Sequence, residues 1–335
     1  MPRVAVIGCG DVATVHFEAI AAIEGAELVA VCDTDPGRLA EASVARGVPG
    51  YADVAAMLDE VRPDVVHVCT PHNQHADPAI AALERGINVI SEKPLASTLA
   101  DGERLAAAAA ASSARIGVCF QNRYNQAVAA MAQRLASGEF GEILGGSGTV
   151  MWSRDAGYYL NRPWRGSWEG GGGGLLMNQA IHTLDLLQWM MGEPTSVSGH
   201  AATHALGATI DVEDTAELVL THANGARSVF YATLANSVNA PITVDIVAEK
   251  ATLHLRGDLA ITHSDGREEV VQERRAESGG RDYWGVSHQL YIADFYSQLG
   301  QDGPFWINPD EALKTLRIIK DVYAQSYPDR VAEVS

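Results

Sequence analysis

The sequence predicts an α/β protein in which an N-terminal domain with a doubly wound parallel sheet precedes a second α/β domain with antiparallel strands. Over roughly the first 120 residues, near-continuously apolar runs alternate with helical stretches, as parallel strands covered on both faces require. A glycine-rich turn directly follows the first of these runs. Beyond Arg123 the pattern changes to alternating β-rich segments joined by short turns, which favours antiparallel pairing.

Length and composition describe a folded protein with more than one domain. The chain has 335 residues, too many for one ordinary hydrophobic core. We place the domains at residues 1–122 and 123–335, with the last helix a candidate to pack back on the first domain. The 47% apolar and 20% charged content is typical of a globular protein. The net charge of −18 disfavours a nucleic-acid partner, because such a partner needs a basic surface.

Neither a membrane partner nor export is predicted. The sequence lacks an apolar stretch of the roughly 18 residues that a membrane span needs, and its N-terminus runs into a strand without the layout of a signal peptide. The cysteines show no CxxC or zinc-like spacing, so we interpret them as small buried apolar residues. We therefore expect a cytoplasmic protein. The four cysteines are Cys9, Cys32, Cys69 and Cys119.

The first domain is predicted to contain five short, apolar strands. Helical stretches rich in Ala and Glu lie between them and begin at patterns such as Asp35-Pro36 and Ser97–Asp101. This alternation predicts the doubly wound sheet. The predicted strands are Val4–Ile7, Leu28–Cys32, Val65–Cys69, Ile87–Ile90 and Ile116–Cys119.

The second domain is predicted to hold a strongly periodic helix, Leu175–Met191, after a loop with Trp164, Arg165 and the glycines Gly170–Gly174. Short turns such as Asn224-Gly225 join several β-rich segments, which favours an antiparallel sheet. Further helices are expected over about 126–137, 283–299 and 309–323. The predicted strands are Ile143–Trp152, Ser196–His204, Thr215–Thr221, Arg227–Thr233, Ile242–Ala248 and Ala251–Leu255.

The turn after the first strand has the pattern of a dinucleotide-binding loop, G-x-G-x-x-A. Gly8 permits the tight turn, Gly10 lets a pyrophosphate approach the backbone, and Ala13 allows close packing of helix on strand. The helix that begins near Asp11 and Val12 offers free amides and the positive end of its dipole to phosphates. The first domain is therefore predicted to be a Rossmann domain.

The acid at the end of the second strand bears on the choice of cofactor. Asp33 stands where a ribose-binding carboxylate belongs and would repel a 2′-phosphate, so NAD is favoured over NADP. Arg38 is near enough in sequence to weaken that repulsion. The alternative role for Asp33 is to cap the helix before Pro36.

A polar loop after the third predicted strand, which includes Thr70, Pro71, His72 and His75, is expected to lie over the dinucleotide. The two histidines are three residues apart, but no Cys or carboxylate cluster supports them, so no metal site is predicted. We expect His75 either to cap the next helix or to contact the nicotinamide ribose.

Three side chains, Lys93, Asn178 and His182, are candidates for the catalytic site. Lys93 follows the fourth predicted strand, at the edge where open α/β sheets bind ligands, and Pro94 stiffens the backbone behind it. Asn178 and His182 are four residues apart on the periodic helix and so project from one face. His suits proton transfer near neutral pH. The alternatives are a solvated turn for Lys93 and a hydrogen-bonded core residue for His182.

Together these motifs resemble the glucose-fructose oxidoreductase/inositol dehydrogenase/rhizopine catabolism (Gfo/Idh/MocA) family, in the family's order through both domains. The resemblance implies a second domain with a large open, mostly antiparallel sheet, a homodimer or homotetramer formed through that sheet, and a sugar or cyclitol substrate. The matching pieces are Gly8–Ala13, Asp33, Thr70-Pro71, Glu92-Lys93-Pro94, Trp164-Arg165 and Gly172–Asp185.

By this resemblance Lys93 and His182 are the catalytic pair of a hydride transfer. His182 would take the hydroxyl proton, and Lys93 would stabilise the developing alkoxide charge. Glu92 would either orient Lys93 or contact the cofactor. The candidate cofactor contacts are Gly8, Gly10, Asp11, Val12, Ala13, Asp33, Arg38, Thr70, Pro71, His72, His75, Glu92, Lys93, Gln121, Trp164 and Arg165. The candidate substrate contacts are Lys93, Arg123, Tyr159, Asn178, His182 and Tyr283.

One position departs from the family pattern. Many members carry Asp four residues before the catalytic His, whereas this chain has Asn178, which cannot take a proton. Lys93 and His182 would then share the proton work with each other or with a water. The Asn-Gln-x-Ile-His sequence is similar to the branch that includes UDP-N-acetylglucosaminuronate 3-dehydrogenases.

The leading hypothesis is an NAD-dependent dehydrogenase that acts on a secondary alcohol of a sugar, cyclitol or sugar derivative, with oxidation at C3 or of a UDP-sugar as narrower forms. A second hypothesis is a glycosidase that uses bound NAD as a recycled oxidant. A third is a non-catalytic sensor on the same scaffold, which the intact Lys93 and His182 disfavour.

Overall fold

The computed structural model describes residues 2–274 and 285–330. By its internal contacts the chain forms two compact units. The first comprises Met1–Gln121 with Ala276–Leu313, and the second comprises Asn122–Arg275 with Lys314–Ser335. None of the described helices is both long enough and apolar enough to cross a membrane.

The β-strands fall into two sheets, one in each unit. The strands of the first unit are β1 Arg3–Ile7, β2 Glu27–Cys32, β3 Gly50–Tyr51, β4 Val65–Val68, β5 Asn88–Ser91 and β6 Ile116–Val118. Those of the second are β7 Ile143–Met151, β8 Pro194–Ala202, β9 Thr215–His222, β10 Arg227–Thr233, β11 Thr243–Ala248, β12 Ala251–Arg256, β13 Asp258–His263 and β14 Glu268–Val271.

The α-helices lie between and after these strands. They are α1 Ala13–Ala22, α2 Pro36–Arg46, α3 Val54–Val61, α4 Ala76–Leu83, α5 Leu99–Ala111, α6 Gln126–Ala136, α7 Ala156–Leu160, α8 Trp168–Gly171, α9 Ile181–Met191, α10 Gly285–Ser297 and α11 Pro309–Ser326.

The first unit contains the predicted doubly wound parallel sheet. Its strand order is β3-β2-β1-β4-β5-β6, and every neighbouring pair is parallel. The fold class is therefore confirmed. The two-residue strand β3 was not predicted, since it is too short for a hydrophobic pattern to reveal.

Side-chain caps start three helices of this unit. The carboxylate of Asp35 accepts the Arg38 N–H, that of Asp53 accepts the Ala56 N–H, and the Thr98 hydroxyl accepts the Asp101 N–H. Each cap satisfies one of the amides that a helix N-terminus leaves without an internal partner. Because Asp35 caps α2, the alternative role of Asp33 as that cap is wrong.

The second unit is built on an eight-stranded sheet of order β14-β13-β12-β11-β7-β10-β9-β8. All neighbouring pairs are antiparallel except β7 and β10, which are parallel. The large, mostly antiparallel sheet is therefore confirmed. It extends two strands beyond the sequence prediction, through β13 and β14.

Helix α9 packs closely on one face of this sheet because β7 is rich in glycine. A Cβ on Gly146 would lie 2.9 Å from Met191 Sδ, and a Cβ on Gly148 would lie 2.8 Å from Phe230 Cδ2 and 3.5 Å from Leu187 Cδ2. The missing side chains make room for the helix that carries His182.

Candidate functional site

The glycine loop after β1 has two differently constrained glycines. Gly8 has φ +89°, and a Cβ there would lie 2.7 Å from the Cys69 carbonyl carbon, so only glycine fits. A Cβ on Gly10 would meet no protein atom within 4 Å. The space beside Gly10 is thus open for a close backbone approach by a ligand, and Ala13 behind it is fully buried. These features fit the pyrophosphate of a dinucleotide.

Asp33, just beyond β2, is held in place by main-chain amides. Its two carboxylate oxygens accept the Cys9 and Asp35 N–H groups, each at 2.8 Å. Arg38 Nε lies 3.4 Å from Asp33 Oδ2. The carboxylate therefore ties the glycine loop to the end of β2, a role that sequence reasoning missed, and Arg38 pairs with the acid it follows.

The loop after β4 turns its second histidine inward. His75 is fully buried, with Nδ1 2.7 Å from the Pro94 carbonyl oxygen and Nε2 2.9 Å from the Thr70 carbonyl oxygen. His75 occupies the predicted N-cap position of α4, but its side chain makes no capping hydrogen bond. Both ring nitrogens face main-chain carbonyl oxygens, so His75 connects this loop to the Lys93–Pro94 segment. Neither nitrogen is left to contact a ribose. Pro71 precedes the short turn His72–Gln74.

Lys93 lies two residues beyond the end of β5 and is half-buried, and its peptide bond to Pro94 is cis. Because β1, β4 and β5 are adjacent parallel strands, Lys93 and the glycine loop stand at the same, carboxyl edge of the sheet. The Lys93 main-chain N–H donates to Glu92 Oε2 at 3.2 Å. Glu92 therefore fixes the backbone from which Lys93 projects.

The other carboxylate oxygen of Glu92 belongs to a buried group that we call the histidine–glutamate cluster. Glu92 Oε1 lies 3.0 Å from His16 Nε2 and 3.4 Å from His288 Nε2. His16 Nδ1 lies 2.8 Å from His67 Nδ1, and His67 Nε2 lies 2.8 Å from the Tyr296 hydroxyl. Both carboxylate oxygens of Glu92 thus have partners within the protein, the Lys93 N–H on one and two histidines on the other.

The bonds of the cluster fix where its protons lie. Burial would raise the pKa of Glu92, but hydrogen bonds from His16 and His288 hold it well below its usual range. Burial lowers the pKa of both His16 and His67, which keeps them neutral. An ionised carboxylate only accepts, so His16 donates from Nε2 and accepts at Nδ1. His67 then donates a hydrogen bond from Nδ1 to His16 and accepts one at Nε2 from the Tyr296 hydroxyl.

Within the described chain, His16, Glu92 and His288 are the His/Cys/Asp/Glu set close enough to hold a metal ion, with ligand atoms within 4.8 Å of one another. The hydrogen bonds of the cluster account for this proximity. Gln121, another candidate cofactor residue, is 4% exposed, and its Oε1 has no hydrogen-bond partner among the residues described.

In the second unit the glycine run is shaped by a buried acid. Cβ atoms on Gly173 and Gly174 would overlap the Tyr323 hydroxyl and the Glu213 carbonyl oxygen. The Glu213 carboxylate accepts the Gly174 and Leu176 N–H groups at 2.8 Å and the Tyr323 hydroxyl at 2.6 Å. Burial raises the pKa of Glu213. This acid therefore anchors the chain just before Asn178.

The predicted helix 175–191 does not begin as an α-helix. Leu176–Ala180 form a π-helical turn, and α9 starts at Ile181. Asn178, within this turn, donates from Nδ2 to the Tyr158 hydroxyl at 3.2 Å, and Gln179 donates to the same oxygen at 3.2 Å. His182 is half-buried in the first turn of α9. Such π-turns occur frequently at functional sites.

Tyr158 links this turn to the tryptophan–arginine pair of the preceding loop. The guanidinium carbon of Arg165 lies 4.8 Å from the centre of the Tyr158 ring and 5.5 Å from that of Trp164. Arg154 approaches the Tyr158 ring as well, at 5.2 Å. The side chain of Tyr158 thus contacts both Arg165 and Asn178, and Arg165 in turn packs on Trp164.

Of the candidate substrate contacts, two are buried and a third lies outside the described residues. Arg123 is buried and makes a bidentate pair with Asp185, from Nε at 2.8 Å and Nη2 at 2.7 Å. Its predicted role as a substrate contact is wrong, because the guanidinium is enclosed in the core. Tyr159 is 2% exposed, and burial raises the pKa of its hydroxyl. Tyr283 lies outside the described residues.

The missed residues carried weak signals. His16 follows Ala13 by one helical turn, a spacing that puts it beneath the glycine loop. Glu213 is the first of two acids directly before the alternating segment of β9, where a buried acid would not be expected. Tyr158 stood in an aromatic pair without a pattern to select it over Tyr159.

Comparison with known proteins agrees with this geometry. Residues 2–120 match the family model "Oxidoreductase family, NAD-binding Rossmann fold", and residues 128–254 match the "GFO/IDH/MocA C-terminal domain". A D-apiose dehydrogenase from Paraburkholderia graminis is 31% identical over 78% of this chain and 70% of its own length. A D-glucoside 3-dehydrogenase from Escherichia coli is 33% identical over 59% of this chain and 57% of its own.

A solved structure extends the likeness over nearly the whole chain. The WlbA dehydrogenase from Bordetella pertussis, in complex with NADH and UDP-GlcNAcA, is 30% identical and has a TM-score of 0.83, covering 98% of this chain and 96% of its own. Fold, glycine loop and matched models define an NAD-binding oxidoreductase. The chain belongs to the Gfo/Idh/MocA family.

Proposed function

We propose that this protein is an NAD-dependent dehydrogenase that oxidises a secondary alcohol of a sugar, cyclitol or sugar derivative. The observation that carries the proposal is the position of Lys93, on the same sheet edge as the glycine loop and two strands away from it. Asp33 and the open approach at Gly10 would hold the dinucleotide. The Rossmann unit would thus be the cofactor domain and the second unit the substrate domain.

The residues divide the chemistry as follows. When bound, NAD supplies the hydride acceptor. His182 accepts the proton of the substrate hydroxyl, and the Lys93 ammonium group stabilises the negative charge that develops on that oxygen. Asn178 holds position through Tyr158 and cannot accept a proton, so His182 passes the proton to water while the Lys93 ammonium group keeps its own protons.

The named relatives support a sugar-type substrate. One acts on D-apiose and another is named for C3 oxidation of D-glucosides, while WlbA was solved with a UDP-linked sugar acid. The WlbA likeness at 30% identity, with the Asn-Gln-x-Ile-His sequence, favours oxidation at C3 of a UDP-sugar as a second candidate.

We also propose that the chain forms a homodimer or homotetramer through the open face of its eight-stranded sheet. By register, Met151, Val229, Tyr231 and Val247 share the face opposite α9, and all four are exposed. Apolar side chains grouped on one sheet face favour burial against a second copy. The four free cysteines support a reducing, cytoplasmic setting.

The test is NADH formation, followed by absorbance, across a panel of sugars, cyclitols and UDP-sugars. The variant Lys93→Met should lose turnover by about 10²–10³-fold, because the charge that stabilises the alkoxide is gone, while NAD binding is retained. The exposed Lys250→Met is the matched control and should keep full turnover. Near-normal turnover in Lys93→Met would remove Lys93 from the mechanism.

A further inference from the structure

Tyr158 offers a hydrogen-bond donor beside the π-turn. Its hydroxyl oxygen accepts from both Asn178 Nδ2 and Gln179 Nε2, each at 3.2 Å. A phenol oxygen has two acceptor positions and one hydrogen, so two donors leave its own O–H to bond a different acceptor. Within residues 2–274 and 285–330 no acceptor for that hydrogen is found. A bound molecule with an acceptor oxygen would complete the arrangement.

Two guanidinium groups pack against the ring of this tyrosine. The guanidinium carbons of Arg154 and Arg165 lie 5.2 Å and 4.8 Å from the ring centre, and Arg154 also lies 5.2 Å from the Trp152 ring. The aromatic faces attract each cation, but the two like charges repel one another.

Arg154 meets only neutral acceptors. Its Nη1 donates to the Ser153 carbonyl oxygen at 2.7 Å and to Asn239 Oδ1 at 3.0 Å. In the part of the chain that the structure describes, no carboxylate forms an ion pair with it, although the protein carries 42 acidic residues and a net charge of −18. Its remaining N–H groups are therefore available to a planar anion, which arginine binds through paired hydrogen bonds.

Three acids of this unit, Asp155, Glu213 and Asp214, have hydrogen-bond partners of their own. Asp155 is exposed and accepts the Tyr158 main-chain N–H as the cap of α7. The Glu213 carboxylate accepts hydrogen bonds from two main-chain amides and the Tyr323 hydroxyl. The Asp214 carboxylate accepts hydrogen bonds from the amides of His204, Ala205 and Leu206. With Asn178 in place of an aspartate, no acid on the π-turn would repel an incoming anion.

We propose that Arg154 and Tyr158 form a subsite for a carboxylate group on the substrate, so that the enzyme acts on acidic sugars such as uronic acids. This inference rests on the proposed dehydrogenase function. Arg154 pairs with the carboxylate, Tyr158 donates its hydroxyl hydrogen to the same group, and Asn178 and Gln179 hold Tyr158 in place.

The test compares matched pairs, D-glucuronate with D-glucose and D-galacturonate with D-galactose, together with glucose 6-phosphate. Steady-state turnover and calorimetric binding to the NADH-loaded protein are both measured. The wild type should prefer the acid of each pair. Arg154→Met should raise the KM and Kd for the acid by about 10–100-fold, as expected for a lost charge-assisted hydrogen bond, with kcat on the neutral sugar and the KM for NAD unchanged.

Tyr158→Phe should weaken acid binding by about 3–10-fold, and the exposed Arg256→Met is the charge-matched control that should change neither constant. Equal use of acid and neutral sugars, preference for the phosphate, or a higher KM for NAD in Arg154→Met would each overturn the proposal. Arg154-dependent binding of uronates without any NADH formation would support the subsite and contradict the dehydrogenase function. Absence of both uronate binding and turnover would overturn the subsite.

Discussion

Arg123 was predicted from the sequence to contact the substrate, whereas the structure places it in a buried ion pair with Asp185. A stability measurement distinguishes these two roles. The two side chains are 0% and 1% exposed and are joined by bonds of 2.8 Å and 2.7 Å. Thr315 Oγ1 adds a bond of 3.2 Å to Asp185 Oδ1, and the Arg123 guanidinium carbon lies 4.7 Å from the Trp189 ring centre. The Arg123 guanidinium is therefore enclosed by protein groups and is not accessible to a substrate.

Replacing one partner leaves the other as a buried, uncompensated charge. Arg123→Met should therefore lower the free energy of unfolding by about 3–5 kcal/mol. For a unit of this size that corresponds to a fall in Tm of roughly 6–20 °C. The double variant Arg123→Met/Asp185→Leu replaces both charges with apolar groups and should recover much of that loss, because the desolvation penalty disappears with the pair.

Urea unfolding followed by tryptophan fluorescence measures these differences, with the Trp189 ring adjacent to the pair as a reporter. The exposed pair of Arg267 with Asp265 supplies the control, since Arg267→Met should change the free energy of unfolding by less than about 1 kcal/mol. An Arg123→Met variant with an unchanged unfolding midpoint and a raised KM for sugar would refute this reasoning and return Arg123 to the substrate site.

Three further outcomes follow from other buried groups. The folded-state pKa values of His67 and Glu92 lie below their usual 6.5 and 4.5, so their contribution to stability is complete above those values and is lost as the pH falls. The urea concentration at the unfolding midpoint should therefore decline below about pH 6.5 and again below about pH 4.5. A midpoint that does not change with pH would contradict the buried histidine–glutamate cluster. Tyr296→Phe leaves His67 Nε2 without its donor and should cost about 1–3 kcal/mol in the same unfolding assay, with no change in NAD affinity. Gly174→Ala forces a Cβ into the Glu213 carbonyl oxygen, so we expect a lower Tm by calorimetry and loss of sugar turnover together; a variant that keeps both would show that the loop can relax.

Much of the fold could be predicted because it depends on local pattern. The parallel strands of the first unit are buried on both faces, so their sequences are continuous apolar runs. The glycine loop is recognised because it directly follows the first of these runs. The prediction missed three strands, β3, β13 and β14. Strands β3 and β14 have two and four residues, too few for periodicity to appear, whereas β13 alternates buried and exposed residues over its six positions. Candidates set by motif, such as Gly8, were predicted with their physical reason.

The partners of polar side chains could not be predicted in the same way. Arg123 and Asp185 are 62 residues apart, and His67 and Tyr296 are 229 apart, so no spacing relates them. A sequence shows that an arginine or histidine is present, but its role depends on what surrounds it after folding. Arg123 therefore looked like a pocket residue and is a core residue.

The sequence by itself determined the doubly wound sheet, the dinucleotide loop, and Lys93 at the carboxyl edge of β5, because burial periodicity and glycine geometry act within a few residues. Only the tertiary structure decided that the Glu92 carboxylate pairs with His16 and His288, that Glu213 anchors the turn of Asn178, and that the Tyr158 ring packs against two arginines. The physical reason is that hydrogen bonds and ion pairs are short-ranged contacts between side chains, and folding alone brings distant residues within that range.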